Sequence, residues 1–216
     1  MNSFETDIGR AILSRGFAAG VLLEILILFT AGFDSDLFRM TVPVLCTLPY
    51  STAWLADYQS GFIKAYLPRS GVTAYILGKI LACGISGGAV EVLGGWLYVS
   101  LKSIENVPLK NVESVPWSPL LIFISGMLWA VVAAVLAALS NSRYIAYGGA
   151  FVLYYILVIL HERYFHTLYC LYPYEWLAPE HTWLFDEWGV VFLVTGLILI
   201  LICLYDVILR RCIEGV

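Results

Sequence analysis

Six apolar runs, each long enough to cross a bilayer, dominate this chain and limit the folds open to it. A transmembrane helix needs about 20 mainly apolar residues. Backbone groups inside lipid must be hydrogen-bonded within the protein, which favours helices for runs of this kind. The runs are therefore predicted to be transmembrane helices at 17–33, 40–56, 72–100, 120–139, 144–160 and 189–208.

The composition agrees with this assignment. Of 216 residues, 61% are hydrophobic and 13% are charged, whereas soluble domains average about 45–50% and about 25%. The short connections leave no room for a soluble catalytic domain. The chain is predicted to be an all-α, polytopic membrane protein with a single transmembrane domain at 1–216.

Residues 4–16 are predicted to form an amphipathic helix before the first span. One face of this helix combines apolar side chains with one arginine: Phe4, Ile8, Ala11, Ile12 and Arg15. A helix with such a face lies along the membrane interface, so we expect an N-terminal interfacial helix.

The distribution of basic residues predicts the orientation. If both termini lie on one side, that side carries eight of the 12 lysines and arginines: Arg10, Arg15, Lys64, Arg69, Lys79, Arg143, Arg210 and Arg211. The other side carries Arg39, Lys102, Lys110 and Arg163. Because cytoplasmic loops are enriched in Lys and Arg, we expect a multi-pass protein of the cell membrane with both termini cytoplasmic.

The polar stretch 57–71 separates the second and third runs. Gly61 and Gly71 bracket it, and Pro68 forbids a continuous helix through it. Helical spacing places three aromatic side chains, one alanine and one arginine on one face: Tyr58, Phe62, Ala65, Tyr66 and Arg69. The stretch is predicted to be a short cytoplasmic helix, in which this face forms an aromatic ridge and Lys64 lies beside it. The helix either contacts a partner or anchors aromatic side chains at the membrane interface.

The segment 161–188 is too aromatic for a loop in free solvent. Prolines at 173 and 179 divide it into short pieces, and aromatic side chains favour the membrane interface. Irregular backbone at membrane depth needs cover from protein or water. We expect an extracellular, re-entrant segment that packs over or lines a cavity.

Two acids and one lysine lie within the predicted spans. Ionisable groups inside a membrane are costly and mark pathways or interfaces, so Glu24 and Glu91 are predicted to line a translocation path or a subunit interface. A protonated or locally hydrogen-bonded structural acid is the alternative for each. Lys79 is expected to extend its ammonium group to the inner surface.

Motifs for enzymatic chemistry are absent from the sequence. It contains no GxxxxGK[ST], GxSxG or HExxH, and His161, Glu162 and His166 lack the further ligands that zinc requires. We expect no enzyme activity, no metal site and no nucleic-acid partner. Gly84 and Gly88, with a row of alanines in 120–139, predict close helix packing instead.

The arrangement resembles the ABC-2 type permeases of ATP-binding cassette transporters, in particular small bacterial members. The resemblance combines an interfacial N-terminal helix, six spans, cytoplasmic termini, a helix between spans 2 and 3 and a re-entrant segment before the last span. At sequence level it is carried by YQSGFIKAYLPR at 58–69, followed by YILGK at 75–79.

This resemblance implies that 57–71 is a coupling helix, which docks on a separate ATPase subunit. Its contact residues would be Tyr58, Phe62, Lys64, Tyr66 and Arg69. The partner would bind ATP and Mg, and this chain no cofactor. A second copy or a paralogous permease would complete the transporter in the lipid bilayer. Such systems mostly export amphipathic, lipid-like or peptide substrates.

Other functions remain open. One is an ATP-independent secondary carrier, and another is an immunity protein that sequesters a peptide in the membrane. A carrier is expected to have broken spans at matching positions in its two halves, whereas prolines interrupt only 40–56. The external connections are too short for bulky substrate handling outside the cell, and the sequence leaves the substrate and direction open.

Overall fold

Helices make up the regular structure that the computed structural model describes, which covers residues 3–33, 35–64, 67, 71–104, 118–183, 185 and 187–214. In chain order they are α1 Ser3–Ile12, α2 Arg15–Ala31, α3 Asp36–Leu45, α4 Ala53–Gln59, α5 Val72–Ile104, α6 Pro119–Ser140, α7 Arg143–Arg163, a 3-10 turn Tyr169–Leu171, α8 Pro173–Leu177 and α9 Glu187–Glu214. The described residues contain no strand, so the predicted all-α class is confirmed for them.

Four helices, α5, α6, α7 and α9, are long and apolar enough to cross a membrane. The consecutive helices α1 and α2 meet at a 48° bend, and together they make a fifth candidate span. The described part of the chain therefore contains four or five candidate spans, not the predicted six. The difference lies in 40–56, which was predicted to be a span interrupted by Pro43 and Pro49, and for the count of four it also includes 17–33.

Residues 40–56 do not form one helix. Helix α3 ends at Leu45, and 46–52 is a series of turns in which Thr47 and Leu48 donate their N–H groups three residues back, over 3.2 Å each. Pro43 and Pro49 explain the interruption, because proline has no N–H to donate and crowds the preceding turn. The stretch still carries the chain along the bundle. Phe38, just before this stretch, packs on Phe33, and Tyr50 within it donates a hydrogen bond to Asp7 of α1.

Both ends of the described chain lie at one end of the bundle, called here the terminal end. In α1, Asp7 contacts Lys79 near the start of α5, and Arg210 near the end of α9 donates to the Thr73 hydroxyl over 3.0 Å. The opposite end, called the far end, brings the C-terminal part of α2 to Tyr98 of α5.

Helices α5 and α6 form the centre of the bundle, and small residues let them approach closely. A Cβ added at Gly84 would lie 2.9 Å from the Met127 side chain, and one added at Gly87 would overlap the side chain of Ala130. The predicted close packing through Gly84, Gly88 and the alanines is therefore confirmed. Helices α7 and α9 surround this centre and keep broad apolar faces exposed, which suits contact with lipid.

The N-terminal helix differs from the prediction for 4–16. Helix α1 ends at Ile12, and Ser14 begins a new helix by accepting the N–H of Phe17 over 3.0 Å. Helix α1 packs along α5 with Asp7 and Ala11 buried, while Phe4 and Ile12 stay exposed. The exposed apolar side chains suit the predicted contact with the membrane interface, whereas Ala11 of the predicted face packs inside the protein. Asp7 forms an ion pair with Lys79 on the inward side of the helix.

Candidate functional site

A buried group of polar side chains lies at the terminal end, called here the Lys79 cluster: Asp7, Tyr50, Asp57, Tyr75 and Lys79. The Lys79 ammonium donates to Asp7 Oδ1 over 2.8 Å and to the Tyr50 oxygen over 2.9 Å, and it lies 2.8 Å from Asp57 Oδ2. Tyr50 donates to Asp7 over 2.6 Å, and Tyr75 donates to Asp57 over 3.0 Å. Every charged member thus has an opposite charge beside it.

The cluster joins four parts of the chain: α1, the 46–52 connection, α4 and α5. The side chain of Lys79 is only 3% exposed, so the prediction that it extends to the surface is wrong. A buried ammonium group requires paired and hydrogen-bonded partners, and Asp7 and Asp57 supply them. Sequence reasoning missed Asp7 because it lies 72 residues from Lys79.

Three of the residues predicted to contact an ATPase subunit, Tyr58, Phe62 and Lys64, lie at this same end. Tyr58 is the exposed neighbour of Trp54 in α4, with the two rings stacked 5.1 Å apart. Phe62 follows Gly61 and has the Arg10 guanidinium 5.6 Å from its ring centre, while Lys64 is exposed.

The continuous ridge predicted through these residues is wrong between Tyr58 and Phe62. Helix α4 ends at Gln59, and Gly61 has φ +71°, a left-handed conformation that interrupts a right-handed helix. The two rings therefore do not follow one another on a single helix face. Tyr66 and Arg69 lie outside the described residues.

The segment 53–64 is firmly attached to the rest of the bundle. Ile63 is 2% exposed, Asp57 belongs to the Lys79 cluster, and Arg143 of α7 donates to the Gln59 side chain over 3.0 Å. These contacts connect the segment to α1, α5 and α7.

A second buried site, called here the acid pair, consists of Glu24 and Glu91. Both side chains are fully buried, and none of their four carboxyl oxygens has a hydrogen-bond partner in the described part of the chain. Glu24 packs against Gly94, which lies one helical turn after Glu91 in α5. Burying two acids without partners is energetically unfavourable, since an uncompensated buried carboxylate costs several kcal/mol or more.

Glycines create the space that the acid pair occupies. A Cβ at Gly94 would overlap the Glu24 carboxyl group, and a Cβ at Gly126 would lie 2.8 Å from Glu91 Cγ. Ser125, which precedes that glycine in α6, is fully buried, and its hydroxyl lacks a partner among the residues described. The acids thus lie at the interfaces of α2 with α5 and of α5 with α6.

The far-end segment 161–188 is held together by Glu175. Its carboxylate accepts from Trp183 Nε1 over 3.1 Å and from the N–H groups of Glu180 and His181, and it lies 2.7 Å from His181 Nδ1. Burial alone would raise the pKa of Glu175, but these hydrogen bonds stabilise the charged form and hold its pKa below the ordinary value.

Helix α8 inserts the far-end segment into the bundle. Trp176 stacks on Trp129 of α6 with ring centres 5.9 Å apart. These two rings help to line an apolar cavity of about 210 Å³ between α6, α7 and α9, together with Leu128, Leu153 and Leu201. Through Trp176, the far-end segment contributes to the lining of this cavity.

The described residues contain no group of three or more metal-ligating side chains. His161, considered for zinc above, stacks on Tyr172 with ring centres 4.2 Å apart. No family model, curated protein or solved structure matches this chain. Functional inference therefore rests on the geometry of the two buried sites and of the terminal-end segment.

Proposed function

We propose that this chain is the membrane-spanning subunit of an ABC-2 type transporter, driven by ATP that a separate subunit hydrolyses. One observation carries the proposal. The segment 53–64 lies at the terminal end, and Asp57 links it through Lys79 to both α1 and α5. A transporter driven from outside the membrane needs a segment that is accessible at one end and attached to the spans.

Movement would pass from the segment to the spans in defined steps. A push on α4 would act through Asp57 on Lys79, and so on the first turns of α5 and on α1. Helix α5 is packed against α2 and α6 along its length, so its displacement would rearrange the centre of the bundle. This route describes how ATP-driven closure of a partner could open a path.

The contact surface for the partner includes Tyr58, Phe62 and Lys64, while Tyr66 and Arg69 stay sequence predictions for it. Tyr58 and Lys64 are exposed, and the lysine suits an acidic rim on the partner. ATP and Mg would belong to that subunit. A second permease chain, identical or paralogous, would complete the transporter, as the resemblance implies.

The terminal end is proposed to face the cytoplasm of the cell. Arg10, Lys64, Arg143 and Arg210 all lie at that end, and the enrichment of basic residues in cytoplasmic loops supports this orientation. The apolar cavity beneath the far-end segment suits an amphipathic, lipid-like or peptide substrate, and export is the direction that the resemblance favours.

Co-purification in mild detergent tests the proposal. We expect the tagged chain to retain an ATPase subunit from its native membrane and to hydrolyse ATP in the eluate. The double variant Tyr58→Ala/Lys64→Glu should lose the ATPase but elute as a folded species. Tyr144→Ala is the matched control, since Tyr144 is an aromatic residue at the terminal end that is 90% exposed. A chain that purifies alone in several detergents would contradict the proposal.

An ATP-independent carrier is the second candidate, and the acid pair is the observation that favours it. Intramembrane acids without partners are typical of ion-coupled transport. Against it, the broken helices α1–α2 and α3–α4 both lie in the first part of the chain, whereas carriers built from repeats break matching helices in both halves. Substrate uptake by vesicles that contain the purified chain and no ATPase would favour this candidate.

A further inference from the structure

We propose that Glu24 and Glu91 form a proton-binding site at the middle of the bundle, which holds protons while the helices are closely packed and releases them when water reaches it. The inference goes beyond the proposed function and applies equally to an ATP-driven permease and to a carrier. It depends on the position, burial and neighbours of the two carboxyl groups.

The position of the acid pair is central. In α5, Lys79 precedes Glu91 by twelve residues and Lys102 follows it by eleven, which corresponds to about 18 and 16 Å along the helix. The two lysines mark the terminal and far ends of the bundle. Glu24 packs against Gly94, one turn beyond Glu91. Neither acid can reach an aqueous surface without a rearrangement of the helices.

The surrounding helices provide no charge that could neutralise the pair. Helix α6 contains no ionisable side chain at all, and the other ionisable residue of α2 is Arg15, at the terminal end. Cys46, which follows α3, lies against Gly87, one turn before Glu91, and carries an uncharged thiol. The described residues thus place no lysine, arginine or histidine within ion-pair distance of either acid.

A proton fits this site better than a metal ion does. Calcium requires six to eight oxygen ligands and magnesium an octahedral set, whereas the pair offers two carboxyl groups with the Ser125 hydroxyl nearby. Two neighbouring carboxylates that lack counter-ions are also unfavourable together in a low-dielectric interior. Protonation removes both charges without demanding further ligands.

The glycines make proton binding sensitive to conformation. Because Gly94 and Gly126 allow the acids to fit tightly between α2, α5 and α6, a small displacement of these helices would replace protein contacts by water. A hydrated carboxyl group loses its proton at neutral pH. Closing the bundle would take protons up again, so the pair would link the packing of the helices to proton binding.

Infrared spectroscopy of the purified protein in lipid nanodiscs at neutral pH tests the site directly. The carbonyl stretching band of neutral carboxylic acids should be present in the wild-type spectrum. Glu24→Gln and Glu91→Gln should each remove about half of it, and the double variant should remove it. Glu175→Gln is the matched control, since Glu175 is buried, hydrogen-bonded and charged, so its replacement should leave the band unchanged.

Several results would overturn the inference. One is a wild-type spectrum with carboxylate bands only, and another is a neutral-acid band that survives in the double variant. Loss of the band on addition of sodium or potassium at constant pH would show a cation site instead. If a variant fails to fold, the infrared band of the wild-type protein is followed as a function of pH instead. If that band is lost at neutral pH while the protein keeps its closed fold, the proposal is contradicted.

Discussion

Replacing Lys79 by methionine should destabilise this protein more than any single change at its surface. The substitution keeps the length of the side chain but removes the ammonium group that pairs with Asp7 and Asp57 over 2.8 Å each. Two carboxylates would then remain together, and the Tyr50 hydroxyl would lose one neighbour. The variant tests whether the Lys79 cluster holds α1 and α4 on α5.

The expected magnitude follows from burial. The side chains of Lys79 and Asp7 are 3% and 5% exposed, so solvent screens the pair weakly. Removing one partner of a buried ion pair costs about 3–5 kcal/mol, because it leaves an uncompensated charge. For a protein of this size about 1 kcal/mol corresponds to a change of roughly 2–4 °C in Tm, so the melting temperature should fall by roughly 6–20 °C.

Thermal unfolding of the purified protein, followed by size-exclusion chromatography after heating, measures the effect. Lys102→Met is the matched control, because Lys102 lies on the same helix and contacts only the rings of Phe29 and Tyr98 among the described residues. Such cation–π contacts contribute about 0.5–1 kcal/mol when exposed. The control should therefore melt within a few degrees of the wild type.

A triple variant separates charge from packing. Adding Asp7→Asn and Asp57→Asn to Lys79→Met removes both orphaned charges and should restore most of the lost stability, since replacing a whole buried ionic group is often nearly neutral. If Lys79→Met melts like Lys102→Met, or if the triple variant is less stable than the single one, the structural role assigned to the cluster is refuted.

Three further predictions concern packing, the far-end segment and topology. Gly87→Ala should cost about 1–3 kcal/mol through overpacking, measured by thermal unfolding, whereas Gly148→Ala, where a Cβ meets open space, should be tolerated. Because the folded state lowers the pKa of Glu175, its charged form stabilises the protein when the pH is above the ordinary pKa of about 4.3. This stability is lost as the pH falls through the folded-state pKa, and tryptophan fluorescence should report the loosening of the far-end segment. In Glu175→Gln the fluorescence should no longer respond to acid. A membrane-impermeant maleimide on intact cells should label the exposed far-end Cys170 and leave Cys212 unlabelled, and equal labelling would contradict the proposed topology.

Local patterns predicted several features correctly. The apolar runs predicted helices because a backbone in lipid must bond within itself, and α5, α6, α7 and α9 agree with that prediction. Gly84 and Gly88 predicted a close helix contact because a missing Cβ admits the neighbouring helix wherever it occurs. The six runs placed the first and last helices at the same end, where the contacts of Asp7 and Arg210 are found.

Other predictions failed where a distant contact outweighed the local pattern. Lys79 was expected to extend to the inner surface, but Asp7, 72 residues away in the sequence, pairs with it inside the protein. The sequence predicted that prolines interrupt the run 40–56, but not that the run divides into the end of α3, a series of turns and the start of α4. The ridge from Tyr58 to Phe62 fails for a similar reason, because Gly61 takes a left-handed conformation.

The sequence by itself determined that this protein is helical, membrane-compatible and tightly packed along its glycines, because those properties depend on each residue and its near neighbours. The tertiary structure decided which ionisable groups meet. Lys79 contacts two carboxylates, whereas Glu24 and Glu91 are buried without a hydrogen-bond partner among the described residues. In helices that are apolar on every side, periodicity does not specify which face turns inward, so the meeting of charged groups far apart in the chain depends on the packing of the whole bundle.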